Sequence, residues 1–185
     1  MPVDDLRIAA FVAYLAAWAV FALGAVVSAI PRVQRRPASP ILLNAPVLIG
    51  TLLQIAPTLA FSLSLGNAPL TPTRLELAGI LMSAVLGAAL FVGSVLAAPR
   101  HEPRLVTRGV YAWIRHPMYL AFLAMLIATG LLVSAGIVLA AAIIVYLVGC
   151  EVRISSEEED LARKFPGEYR QYRLQTPWRY LPGLR

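Results

Sequence analysis

Four long stretches of this chain carry no Asp, Glu, Lys or Arg: residues 8–30, the segment between Arg36 and Arg74, residues 77–99 and residues 116–150. A helix rises ~1.5 Å per residue and the hydrocarbon core of a bilayer is ~30 Å thick, so about 20 apolar residues suffice to cross it. The first run, at 23 residues, has that length. It is too long for a signal peptide and lacks a small-residue cleavage pattern. The second is apolar over 41–65 and is expected to stop at the turn formers Gly66-Asn67-Ala68-Pro69. The fourth, at 35 residues, would reach about 50 Å as one helix. A hairpin of two helices, turning at Gly130 and Ser134-Ala135-Gly136, is the expected solution.

Composition agrees with a bilayer rather than water as the solvent. AVILMFWYC make up 59% of the residues and charged residues 14%, against about 25% charged in an ordinary soluble domain. The net charge of +6 does not point to nucleic acid, because the sixteen basic residues lie between the apolar runs and in the tail. With five spans, fourteen of them fall on one side, including Arg32, Arg35, Arg36 and the loop 100–115, leaving Arg7 and Arg74 opposite. The positive-inside bias therefore favours an all-α integral membrane protein of five transmembrane helices, the last two a hairpin, with the amino terminus outside and a cytoplasmic C-terminal helical segment. A single cysteine, Cys150, excludes an internal disulfide, and two histidines without a second thiol argue against structural zinc; no metal is expected.

Some helix contacts are legible. Gly79, Ser83 and Gly87 recur every four residues, so one face of the third span allows a close neighbour. In the second span Thr51, Gln54, Thr58 and Ser62 form a polar stripe interrupted by Pro57, which is expected to kink the helix. The stripe reads either as interhelical hydrogen bonding or as the lining of an acceptor cavity.

Two clusters carry chemistry. Leu105-Val106-Thr107-Arg108-Gly109-Val110-Tyr111-Ala112-Trp113-Ile114-Arg115-His116-Pro117-Met118-Tyr119 joins the third and fourth spans. Taken singly, its aromatics and arginines suit a membrane interface. Pro117 fits a first helical turn and biases His116 away from helical geometry, which puts His116 and Tyr119 at a helix N-terminus able to receive a ligand carboxylate. The second cluster follows the fifth span: Arg153, then Glu157-Glu158-Glu159-Asp160, then Phe165-Pro166-Gly167-Glu168-Tyr169-Arg170-Gln171-Tyr172. Ser156 with Glu159 fits a capping box at a new helix start. Arg153 and Glu157 are spaced i, i+4, where they meet a ligand or pair with each other.

In order, L-V-T-x-G-V-Y, R-H-P-x-Y, R-x-x-x-E-E and F-x-G-x-Y-x-x-Y resemble the isoprenylcysteine carboxyl methyltransferases and related phospholipid methyltransferases, over residues 103–182. Pro103 stands where the eukaryotic pattern often has histidine. The resemblance implies an integral membrane enzyme that uses S-adenosylmethionine and a lipid-attached or hydrophobic acceptor, foremost an isoprenylcysteine-type carboxylate. It implies cofactor contacts at Leu105, Val106, Tyr111, His116, Pro117, Tyr119, Glu157 and Glu158, and acceptor binding at Arg153. The chain then divides into three transmembrane helices (1–98) and a catalytic region (99–185) comprising an interfacial loop, the hairpin 117–150 and the tail 151–185.

The sequence has no strand pattern and no G-x-G-x-x-G, so a soluble Rossmann methyltransferase is excluded. A phospholipid or amine N-methyltransferase is the nearest alternative. An NADPH-dependent membrane sterol-type reductase, which shares an R-H-P-x-Y-like element, and a non-enzymatic membrane scaffold are the others.

Overall fold

A computed structural model describes residues 3–33, 45–65, 71–98, 104–181 and 183. The expected turn at 66–69, together with Arg35, Arg36, Arg100, Pro103 and Pro182, lies outside them. Among the described residues six α-helices follow one another: α1 (Val3–Val33), α2 (Ala45–Ser64), α3 (Arg74–Ala97), α4 (Pro117–Leu132), α5 (Ile137–Lys164) and α6 (Pro166–Gln175), with a 3₁₀ turn at Gly109–Ala112. The described residues contain no strand. The chain is an all-α integral membrane protein: α1, α2, α3 and α5 are each long and apolar enough to cross a bilayer. α4, the fifth apolar helix, has 16 residues, about 24 Å of rise.

Burial explains why α4 tolerates that length. One of its faces, Ala121, Met125, Ala128 and Leu132, packs against Ala10, Tyr14, Ala17 and Phe21 of α1 and Leu77, Ile80, Ala84 and Phe91 of α3. The other, Tyr119, Leu123 and Leu126, packs against Phe61 of α2 and Tyr146, Cys150 and Ile154 of α5. α4 is thus walled by protein on both sides, whereas Leu52, Leu63, Met82, Val85 and Ile144 of its neighbours are exposed, as lipid-facing side chains are. The small-residue face of α3 meets α4 as expected. A Cβ on Gly87 would lie 3.1 Å from the Ala121 carbonyl oxygen, and one on Gly79 would lie 2.8 Å from Leu131 Cδ1.

The hairpin turns where the small residues stand. Ser134 and Gly136 both adopt positive φ, 51° and 54°, in the short turn 133–136 that lets α5 return beside α4. Pro57 lies inside α2, which runs on through it to Ser64. The capping-box expectation at Ser156 and Glu159 is corrected: α5 continues unbroken from Ile137 to Lys164, so Ser156 is mid-helix and caps nothing. A local N-cap signal loses to propagation of a helix already nucleated and packed upstream. The true capping box is at Thr73, whose hydroxyl accepts from the Glu76 N–H at 3.2 Å while Glu76 accepts from the Thr73 N–H at 2.7 Å.

α5 is two helices in composition. Its segment 137–150 is uncharged, and its extension 151–164 carries the charges. Against that extension the tail folds back, and the loop 104–116 is held between them.

Candidate functional site

A cavity of about 330 Å³ opens where α2, α4, the loop and the α5 extension meet. That volume lies at the small end of ligand pockets. Leu105, Val106, Tyr111, His116, Tyr119, Arg153 and Glu157 all line it. Pro117 and Glu158, expected beside them, do not: Pro117 is fully buried as the first residue of α4, and Glu158 faces away into the protein. The lining also includes Gln54, Arg104, Arg115, Met118, Phe122, Leu161 and Tyr172, of which only Gln54 was offered a place in a cavity wall by the sequence. For Gln54 a signal existed, in the polar stripe of α2. For Phe122 none did, since an aromatic in an apolar helix reads as core.

The cavity wall is a hydrogen-bonded set. Tyr119 donates to Glu157 Oε1 at 2.6 Å, and Arg153 Nε donates to the same oxygen at 3.0 Å. The Arg153 guanidinium carbon lies 5.8 Å from the centre of the Tyr119 ring, within cation–π range. His116 meets that ring edge-on at 5.7 Å, and its Nδ1 is 3.7 Å from Glu157 Oε2. From α2, Thr51 accepts from Arg153 Nη1 at 2.9 Å and Gln54 donates to Cys150 Sγ at 3.3 Å. Thr51 and Gln54 of the stripe thus bond across to α5, and Gln54 also lines the cavity. Ser62 bonds only its own helix, at the Thr58 carbonyl.

Behind this wall the loop is fixed by the tail. Tyr172 donates to the Tyr111 carbonyl at 2.6 Å, and Thr176 donates to the Ala112 carbonyl at 3.2 Å. The Arg115 and His116 N–H groups donate to the Trp178 and Arg179 carbonyls at 2.9 and 2.7 Å. Arg115, 5% exposed, donates through Nε to Glu158 at 2.9 Å and through Nη1 to the Thr176 and Pro177 carbonyls. Arg179 and Tyr180 anchor the end of the tail on Glu151. Burial by itself would raise the Glu158 carboxyl; hydrogen bonding to His116 and the charge of Arg115 outweigh it and hold Glu158 down to about 2. Burial raises the Tyr111 and Tyr172 hydroxyls, so both stay protonated donors at neutral pH. His116 takes up the expected position: it is the N-cap of α4, with φ −127° and ψ 62°, and Pro117 occupies the first turn. The carboxylates nearest its ring are the protein's own Glu157 and Glu158.

The arrangement offers a charged and aromatic end against the loop and an apolar end at Met118 and Phe122. Phe122 lines the cavity and is also 40% exposed. No group of three or more metal-ligating side chains occurs among the described residues.

Comparison with known proteins finds similar sequences. Methanethiol S-methyltransferase 1 of Bradyrhizobium diazoefficiens is 36% identical over 81 residues, which are 42% of this chain and 27% of that protein. Protein-S-isoprenylcysteine O-methyltransferase of Schizosaccharomyces pombe is 31% identical over 96 residues, 51% of this chain and 41% of that one. The chain thus spans less than half the length of these curated relatives. The profile of the isoprenylcysteine carboxyl methyltransferase family matches residues 70–163, from α3 through the loop and α4 to the end of α5, just over half of the sequence. With the cavity built largely from that segment, the chain belongs to the isoprenylcysteine carboxyl methyltransferase family.

Proposed function

We propose that this protein transfers a methyl group from S-adenosylmethionine to the carboxylate of a lipid-attached, isoprenylcysteine-type acceptor, with 99–185 as its catalytic region facing the cytoplasm. The observation that carries the reading is the convergence of Leu105, Val106, Tyr111, His116, Tyr119, Arg153 and Glu157 on one cavity at the end of the apolar slab.

The donor set fits the cofactor. Tyr111, His116 and the Glu157 carboxylate suit its amino-acid and ribose parts, Leu105 and Val106 suit the adenine, and a volume near 330 Å³ suits one such molecule. When bound, the sulfonium supplies an activated methyl group and a neutral leaving thioether. What remains for the chain is alignment of an acceptor lone pair with that carbon, a positioning effect worth several kcal/mol, on the order of 7 or more when geometry is ideal. Arg153 is suited to that task, because a guanidinium binds a carboxylate through paired N–H donors and stays charged. A carboxylate acceptor needs no proton removed, so no general base is required. The lipid tail would leave past Phe122, the cavity residue exposed toward hydrocarbon.

Purified protein incubated with methyl-labelled S-adenosylmethionine and a native membrane-lipid extract is expected to place label in the organic phase as a base-labile ester. Base-stable label would move the assignment to an amine or thiol acceptor. Thermal stabilisation by NADPH and not by S-adenosylhomocysteine would transfer it to the reductases. For orientation, an impermeant thiol reagent added outside should fail to label Arg108→Cys or Arg170→Cys and should label Ala135→Cys; labelling at 170 would reverse the assigned sidedness.

A further inference from the structure

α2 lies outside the segment shared with the family, yet it reaches the arginine of the proposed acceptor site. The reach depends on two glycines. A Cβ on Gly50 would stand 2.9 Å from the Gly149 carbonyl oxygen and 3.0 Å from Arg153 Cβ, and one on Gly149 would stand 2.8 Å from the Gly50 carbonyl oxygen. α2 and α5 therefore touch backbone to backbone at this crossing, the close approach that small residues permit between membrane helices. Thr51 follows Gly50 directly, and Arg153 is one turn beyond Gly149 on α5, so a short hydroxyl side chain spans the gap.

The direction of the Thr51 hydroxyl is fixed. Its hydrogen is donated to the Val47 carbonyl at 2.7 Å, which leaves only its lone pairs for Arg153 Nη1 at 2.9 Å. Arg153 is consequently held on three sides by three helices: Nε by Glu157 of α5, the guanidinium plane by the Tyr119 ring of α4, and Nη1 by Thr51 of α2. Two of its five N–H donors are committed by these bonds. A long, rotamer-rich side chain is thereby held in one orientation before a ligand arrives, which lowers the ordering cost of binding.

We infer that Thr51 is a positioning residue for the acceptor: an α2 hydroxyl, brought in by the Gly50–Gly149 crossing, sets the orientation in which Arg153 meets the acceptor. The inference rests on the acceptor role proposed for Arg153. Thr51 does not line the cavity, so its influence passes through the arginine alone.

The test compares Thr51→Val, which keeps the shape and removes the acceptor oxygen, with Thr51→Ser, which keeps the oxygen, using N-acetyl-S-farnesylcysteine as acceptor probe. Thr51→Val should lower kcat/KM for the probe about tenfold, the effect of one charge-assisted hydrogen bond, while S-adenosylhomocysteine affinity by calorimetry stays within twofold. Thr51→Ser should stay within threefold of wild type in kcat/KM. In parallel, the Arg153 Nε–H resonance, assigned by its loss in Arg153→Lys, should shift or broaden in Thr51→Val and not in Thr51→Ser. Equal losses in both Thr51 variants would overturn the inference in favour of simple packing, as would wild-type kinetics in Thr51→Val beside inactive Arg153→Ala. If Arg153→Ala remains active, it is the acceptor role of Arg153 that fails. The resonance then still decides whether Thr51 holds the side chain, as it does if the probe is not turned over, and an unmoved signal in Thr51→Val overturns that hold.

Discussion

Arg115 with Glu158 and Arg153 with Glu157 are the same two residue types at nearly the same separation, 2.9 and 3.0 Å, and their glutamates are neighbours on α5. Their surroundings differ. The Arg115 and Glu158 side chains are 3% and 7% exposed, and His116 and Arg179 also face the carboxylate. Arg153 and Glu157 are 33% and 37% exposed and look into the cavity. Successive residues on a helix of 3.6 per turn point about 100° apart, so one carboxylate turns toward the tail and the other toward the ligand space. Residue type does not assign the role here. A buried ion pair holds the loop and tail together, and a half-open pair keeps donors and an acceptor available.

The comparison breaks most readily at the buried pair. Glu158→Ala leaves the Arg115 guanidinium buried without its counter-charge and should destabilise the detergent-solubilised protein by about 3–5 kcal/mol, read from thermal or denaturant midpoints. Because the folded carboxyl is held near 2 and an unfolded Glu titrates near 4.3, the stabilisation from Glu158 is complete above pH ~4.3. It is lost as pH falls through about 2. Protection of the tail amides from exchange should therefore persist at pH 5 and weaken below it; loss between pH 8 and 6 would assign the anchoring to other groups.

Glu157→Ala sharpens the contrast with a smaller effect of a different kind. A half-exposed ion pair contributes about 0–1 kcal/mol to stability, so the thermal midpoint should barely move, whereas S-adenosylhomocysteine affinity should fall about tenfold, the equivalent of roughly 1.4 kcal/mol. Thr73→Ala, at the capping box at the start of α3, serves as the remote control. It should cost about 1 kcal/mol of stability and leave cofactor affinity unchanged.

The apolar runs, the small-residue face of α3 and the turn at 134–136 were legible because each is a local pattern with one physical solution. So was the meeting of His116, Tyr119, Arg153 and Glu157 at one level, since two helices of a hairpin must return to the same side. Glu158 was not separable from Glu157, because its burial is created by Arg115 and by a tail that returns from α6, contacts between residues 43 and more apart. Thr51 and Gln54 showed as a polar stripe, but the partner of a stripe is set by which helix packs on it, and only the Gly50–Gly149 crossing decides that. Ser156 misled for the converse reason: its capping pattern is real, but α5 was already helical when it arrived.

Calorimetric titration with S-adenosylhomocysteine, run on wild type, Glu157→Ala and Arg153→Ala, tests the central claim most directly. The wild type should bind, Glu157→Ala should bind about tenfold more weakly, and Arg153→Ala should stay within a few-fold of wild type while losing methyl transfer in a turnover assay. Equal loss of affinity in the two variants would contradict the division of the cavity into a cofactor side and an acceptor side, and absence of binding to the wild type would contradict the function itself.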